Sequence, residues 1–276
     1  MGEPVRERIR AVGKKYGYTM SVYRTKSLFH GVPQIRERSF YFFWKGDKAP
    51  ILNYFRRDHQ RIEDLILGVK SNFQTETPTK KKPSEDALYR FVLEEVAGGV
   101  THREFSKGIM KSTQVLEIIE DNGVSYEQLG EWLTKKGYER EAAWTGRVTE
   151  KLAKGGGIMH RSIIIPKDYI GAFVGHLQIN IAHPTKDRFL NYRECMTIMG
   201  LPQDFELLDP KRQLNHVCQN VPVDTAADMA SEVVAALEDE RPWVKTDYLF
   251  QSNHQQKHET RDDSPTSMVS VEAAFA

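Results

Sequence analysis

Cysteine is nearly missing. The 276 residues hold two, Cys195 and Cys218, too few for a disulfide framework, and a reducing, cytoplasmic setting is expected. There is no CxxC, and the nine histidines never fall into HExxH, so the common thiolate and paired-histidine metal sites are excluded and no metal is expected. No apolar run approaches the roughly 20 residues that a membrane helix needs. The opening MGEPVRERIR places charges where a secretory signal has its apolar stretch, so neither a membrane span nor a signal peptide is expected. A large excess of one charge is absent too, since 39 Lys/Arg stand against 38 Asp/Glu for a net +1.

What is present is a globular composition, 39% hydrophobic with a mean hydropathy of −0.55, long enough for one large or two small domains. The charge is unevenly spread. Residues 1–48 carry eleven Lys/Arg and four Asp/Glu, a net of +7, which suits a polyanionic partner or a solvated basic face.

Val5, Ile9, Val12 and Tyr16 recur at helical spacing after Pro4 and stop at Gly17, marking an amphipathic helix. Two β-rich runs follow, Tyr18 to Arg24 and Ser39 to Lys45, joined by a loop with Gly31 and Pro33. This is an α/β order, although a two-stranded sheet is marginal alone. Residues 75–86 (TETPTKKKPSED) read as a linker or exposed loop. Helical signals then repeat: Leu88, Phe91, Val92 and Val96 share a face, and Thr101/Glu104 and Ser125/Gln128 have capping-box spacing. Ile163 to Ile165 suggest a short buried strand. Asn191 and Glu194 begin a further helix that Gly200, Leu201 and Pro202 end. A last helix spans about Thr225 to Leu237, after which the pattern fades into a polar tail expected to be disordered.

Three segments carry candidate chemistry. In GVPQIRER (Gly31 to Arg38) the alternate spacing of Arg36 and Arg38, after Gln34, directs two guanidinium forks to one side of an extended segment, suited to phosphate or a base edge. HPTKDRFLNYRECMTIMGLPQDF (His183 to Phe205) orders a basic loop, a capped helix and a Gly-Leu-Pro stop. HVCQNVPVDTAADMA (His216 to Ala230) places Gln219 and Asn220 beside Pro222 at a helix start, where amides and free N–H groups bind a small polar ligand or simply cap.

In this order the segments resemble the C-terminal part of the DNA (cytosine-5)-methyltransferases. GVPQIRERSFYFF is similar to the family's Gln-x-Arg-x-Arg motif, RFLNYRECMTIMGLPQDF to its Leu-Thr-x-Arg-Glu…Gly-Phe-Pro motif, and HVCQNVPVDTAADMA occupies the place of Gly-Asn-Ser-Val-Pro. The resemblance implies methyl transfer from S-adenosylmethionine to cytosine C5 in double-stranded DNA after base flipping, a thiolate first adding to C6. By position, Arg38 matches the arginine that reaches the flipped cytosine, Gln34 and Arg36 match neighbours that contact the DNA backbone or brace the site, and Arg193 and Glu194 match a pair that organises the recognition domain. Gln219 and Asn220 fall at the cofactor-contacting motif, where the sequence departs from the family pattern and keeps only Val221 and Pro222.

The chain has no Pro-Cys pair, no Glu-Asn-Val and no FxGxG, and neither cysteine matches the nucleophile. The fold expected is therefore α/β, the C-terminal portion of a Rossmann-like methyltransferase domain with an inserted, mixed and largely helical target-recognition region. Residues 1–48 form a catalytic-domain piece, 49–185 the recognition region, 186–245 the last two motifs returning to the catalytic domain, and 246–276 a disordered tail. The expected function is the DNA-binding half of a split methyltransferase, completed by a separately encoded N-terminal half that holds most of the S-adenosylmethionine site. The competing expectation is a non-enzymatic DNA-binding relic or regulator.

Overall fold

The computed structural model describes residues 3–70, 74–157, 162–173 and 180–253. The chain is mixed α/β and divides into two compact units, one of residues up to 60 together with those from 221 onward, the other of residues 61–220. No helix among the described residues is long and apolar enough to cross a membrane.

The first unit is built on the strand Tyr18–Lys26. It pairs antiparallel with Glu37–Lys45, from Tyr18 opposite Lys45 to Lys26 opposite Glu37, and parallel with Tyr248–Ser252, Met20 opposite Tyr248. Both its edges are thus satisfied, and Thr19 through Tyr23 are all buried. The alternation of the aromatic strand sends Phe40, Phe42 and Trp44 to one face. There they join Tyr23, Ala49 and Leu52 and, from the helix Val223–Leu237, Met229, Val233 and Ala236. The Trp44 indole meets Trp243 edge-on, ring centroids 5.4 Å apart, and its buried N–H is paired, donating to Ser21 Oγ at 2.8 Å.

On the other face lies the opening helix, Glu3–Lys15. It approaches the sheet so closely at Gly13 that a Cβ there would stand 2.8 Å from the Phe43 ring. Arg10 donates to Asp247 at 2.9 Å and its guanidinium lies 5.2 Å from the Tyr248 ring centroid. Arg6, Arg10 and Gly13 therefore face the sheet, and the helix's apolar stripe is turned outward: Val5, Val12 and Tyr16 are 49%, 55% and 67% exposed. With Ile9, Tyr18 and Phe43 they line an open groove of about 1020 Å³. Helical periodicity predicts that a stripe exists but not what covers it.

The second unit is largely helical. A short antiparallel pair, Thr113–Gln114 with Ile164–Ile165, accompanies helices that include His102–Gly108, Tyr126–Lys135 and Glu139–Ala153. The boxes at Thr101/Glu104, Ser125/Gln128 and Asn191/Glu194 are all formed. Leu88, Tyr89, Val92, Phe105, Leu129 and Leu133 centre one core; Ile62, Phe173, Leu190, Cys195, Met196 and Cys218 centre another.

Two boundaries differ from the sequence reading. Residues 246–253 are not part of a disordered tail: Tyr248–Ser252 is a strand, held because Gln251 Oε1 accepts from Leu52 N–H and its Nε2 donates to Leu52 C=O, both at 3.0 Å. The rest of that tail, residues 254–276, lies outside the described residues. Residues 49–60 cluster with the first unit and 186–220 with the second. Residues 75–82 are loop, as expected, anchored where the carbonyls of Gln74 and Glu76 accept from the N–H groups of Arg193 and Tyr192 at 3.0 and 3.1 Å, at the orphaned N-terminus of the helix Tyr192–Ile198.

Replacing Gln251 by Leu leaves both Leu52 backbone groups buried without their partner. Each such group costs about 1–3 kcal/mol, so urea unfolding of Gln251→Leu is expected to show a loss of about 2–6 kcal/mol. A change below about 0.5 kcal/mol would show that the last strand is not held this way.

Candidate nucleic-acid interface

The segment Ser27 to Arg38 leaves the central strand, turns and returns as the aromatic strand. Ser27 N–H donates to Arg36 C=O at 3.0 Å and Val32 N–H to Ser27 C=O at 3.3 Å, closing the loop at both ends. Gly31 has φ +82°, a left-handed backbone conformation that favours glycine. Within this frame Gln34 is fully buried and Arg36 is 2% exposed, while Arg38 is half-buried. As placed, Gln34 and Arg36 offer a duplex almost no surface. Arg38 is the one of the three with accessible surface; its Nη1 donates to Glu37 C=O at 2.7 Å, and partial burial lowers its pKa.

A polar relay that sequence reasoning missed lies immediately before this loop's glycine. His30, with a fully buried ring, meets Asp228 Oδ2 at Nδ1, 2.9 Å away, and Thr25 Oγ1 at Nε2, also 2.9 Å away. The carboxylate only accepts, so Nδ1 carries the proton, and the neutral ring's Nε2 then accepts from the threonine hydroxyl. Burial lowers the His30 pKa, opposed by the hydrogen bond to Asp228. Asp228 Oδ1 is also paired with Arg57 at 2.6 Å, Asn253 donates to Thr25 Oγ1 at 3.3 Å, and the Phe55 ring stands 4.7 Å from the imidazole.

In the second unit Arg193 and Glu194 of RFLNYREC act separately. Arg193, fully buried, donates through Nη1 to Pro202 C=O at 3.0 Å and through Nη2 to Phe205 C=O, tying the helix to its Gly-Leu-Pro stop. Glu194 receives both Nη groups of Arg188, at 2.8 and 2.7 Å, and accepts from Asn191 N–H at 2.9 Å. Upstream, His183 Nδ1 accepts from Thr185 and Lys186 N–H, each at 3.1 Å, which shapes the basic loop. Burial, with Arg188 adding to it, lowers the His183 pKa to about 4.

Gln219 and Asn220 are exposed where the helix Pro210–Gln219 ends, and Gln219 Nε2 donates to Asn215 Oδ1 at 2.9 Å. None of the three prominent grooves has either amide in its walls. Cys195 and Cys218 are fully buried; the hydrogen bond from Cys218 and burial push the Cys195 thiol well up, which leaves it protonated and inert. Among the described residues no group of three His, Cys, Asp or Glu could hold a metal ion.

The family model described as C-5 cytosine-specific DNA methylase matches residues 5–264. No curated protein is matched.

The depressed His183 pKa makes a pH prediction. Between about pH 6.5, where an unfolded histidine titrates, and about 4, the unfolded chain binds a proton that the folded ring refuses. Stability is therefore fully present above that window and is lost as pH falls through it, by on the order of 2–3 kcal/mol from this group. NMR titration is expected to find the His183 ring neutral at pH 5; titration near 6.5 would contradict the packing.

Proposed function

Because the chain belongs to the C-5 cytosine-specific DNA methylase family, with residues 5–264 matched, we propose that it is the DNA-gripping, target-recognising half of such an enzyme. A separately encoded chain contributes the nucleophile and cofactor motifs. The observation that carries this reading is the state of the sulfurs. C5 of cytosine is a weak nucleophile until a thiolate adds to C6, yet both cysteines of this chain are buried and Cys195 is held well towards its thiol form. The attacking sulfur comes from elsewhere. S-adenosylmethionine, the family's methyl donor, is held mainly by the partner, consistent with the exposed positions of Gln219 and Asn220.

In this reading the first unit is the C-terminal portion of a Rossmann-like domain, and the largely helical residues 61–185 read the DNA target. Arg38 reaches the cytosine flipped out of the duplex, Gln34 and Arg36 hold the loop that carries it, and Arg193 and Glu194 organise the recognition region. The protein works in the cytoplasm, where DNA is accessible. Two features of the first unit support a dependent half over a self-sufficient relic. The opening helix turns its apolar stripe outward. The aromatic strand Glu37–Lys45 ends the three-stranded sheet, and a nine-residue edge rich in Phe and Tyr is a template for further pairing unless it is covered.

Mixing the purified chain with a cognate half bearing the missing motifs, S-adenosylmethionine and duplex DNA is expected to yield 5-methylcytosine. Arg38→Ala is expected to lower the yield rate by about 10²-fold in the same mixture. Failure of every cognate half to restore transfer, with a monodisperse chain that binds duplex in a salt-dependent way, would favour the relic.

A further inference from the structure

Thr25, His30 and Asp228 have the connectivity of an acid–base relay: a hydroxyl on Nε2 and a carboxylate on Nδ1, each at 2.9 Å. Attack by this hydroxyl is ruled out by access, because Thr25 is fully buried and His30 is 1% exposed. The relay's place in the fold points to another use. Thr25 lies near the end of the central strand, where it is opposite Arg38. His30 directly precedes Gly31, the left-handed residue at which the loop turns towards Gln34. Asp228 belongs to the helix Val223–Leu237, 198 residues further on, and its second oxygen takes Arg57, whose N–H donates to Phe29 C=O at 2.9 Å. One imidazole thus ties the loop's entry to the strand on one side and to the closing helix on the other.

We propose that His30 is a positioning residue: as the neutral Nδ1–H tautomer bridging Thr25 and Asp228, it fixes the Ser27–Arg36 loop and so the aim of Arg38. The inference rests on the reading of that loop as the DNA grip. Only this tautomer satisfies both neighbours, since a proton on Nε2 alone would leave Nδ1 and the carboxylate as two acceptors facing each other. The ionisable groups around the ring are Asp228, Arg57 and Asp224. The carboxylate is shared between the imidazole and Arg57, and the arginine is 57% exposed on its side chain, so loss of the imidazole frees the loop without leaving the carboxylate unpaired.

The test uses the full chain, ring ¹⁵N spectra, amide hydrogen exchange and affinity for duplex DNA. The spectra are expected to show the proton on Nδ1 at neutral pH. In His30→Leu, the Ser27 and Val32 amides, whose acceptors lie within the loop, are expected to exchange at least about tenfold faster, and duplex affinity to fall by about tenfold or more. His30→Asn, which keeps a donor for Asp228, is expected to recover most of both. Isosteric Thr25→Val, which retains the packing, is expected to fall between. A proton on Nε2, or variants that shift Tm yet leave loop exchange and affinity unchanged, would overturn the proposal. If the wild-type chain binds no duplex either alone or mixed with a cognate half, the DNA-grip reading fails, and the exchange rates alone still decide whether His30 fixes the loop.

Discussion

The strand Tyr18–Lys26 is the constraint on which the first unit depends. Both edges are hydrogen-bonded, to Glu37–Lys45 and to Tyr248–Ser252, and both faces are covered, one by the aromatic core and one by the opening helix. The parallel partner comes from the far end of the sequence, so the unit closes only when residues up to 60 meet those beyond 220. A strand held on four sides is a rigid base, and the loop with Gln34, Arg36 and Arg38 springs from its end. The same arrangement leaves the aromatic strand as the end of the sheet.

Family membership and sulfur chemistry together shape the functional account. The C-5 methylase match spans nearly the whole chain, whereas the reaction's first covalent step needs a thiolate that buried, hydrogen-bonded cysteines do not supply. The arginines are arranged accordingly. Arg36 and Arg193 are buried, Arg188 and Glu194 form a bidentate pair at the helix Tyr192–Ile198, and Arg38 keeps accessible surface. The proposed division of labour has this chain aim and steady the DNA while a partner performs the substitution.

Much of the local structure was legible in the sequence because its causes are local. The boxes at Thr101/Glu104, Ser125/Gln128 and Asn191/Glu194 need only residues three apart, and the two early strands announce themselves through their aromatics and alternation. The strand Tyr248–Ser252 was not legible, since its stability comes from distant pairing and from the double hydrogen bond of Gln251 to Leu52. Periodicity located the stripe of the opening helix but could not tell that Gly13, Arg6 and Arg10 would turn towards the sheet. The motif spacing placed Arg36 and Arg38 on one side of an extended segment, but exposure is a tertiary property, and burial separates them. His30 and Asp228 lie too far apart in sequence for any spacing rule; the one local hint was a histidine set directly before the loop glycine.

The most direct test of the account is methyl transfer by this polypeptide alone. Purified chain, supplied with isotopically labelled S-adenosylmethionine and duplex DNA, is predicted to transfer no label to cytosine. Cytosine C5 methylation by the chain without any partner would contradict the claim that its sulfurs are structural and that the attacking thiolate comes from a second polypeptide.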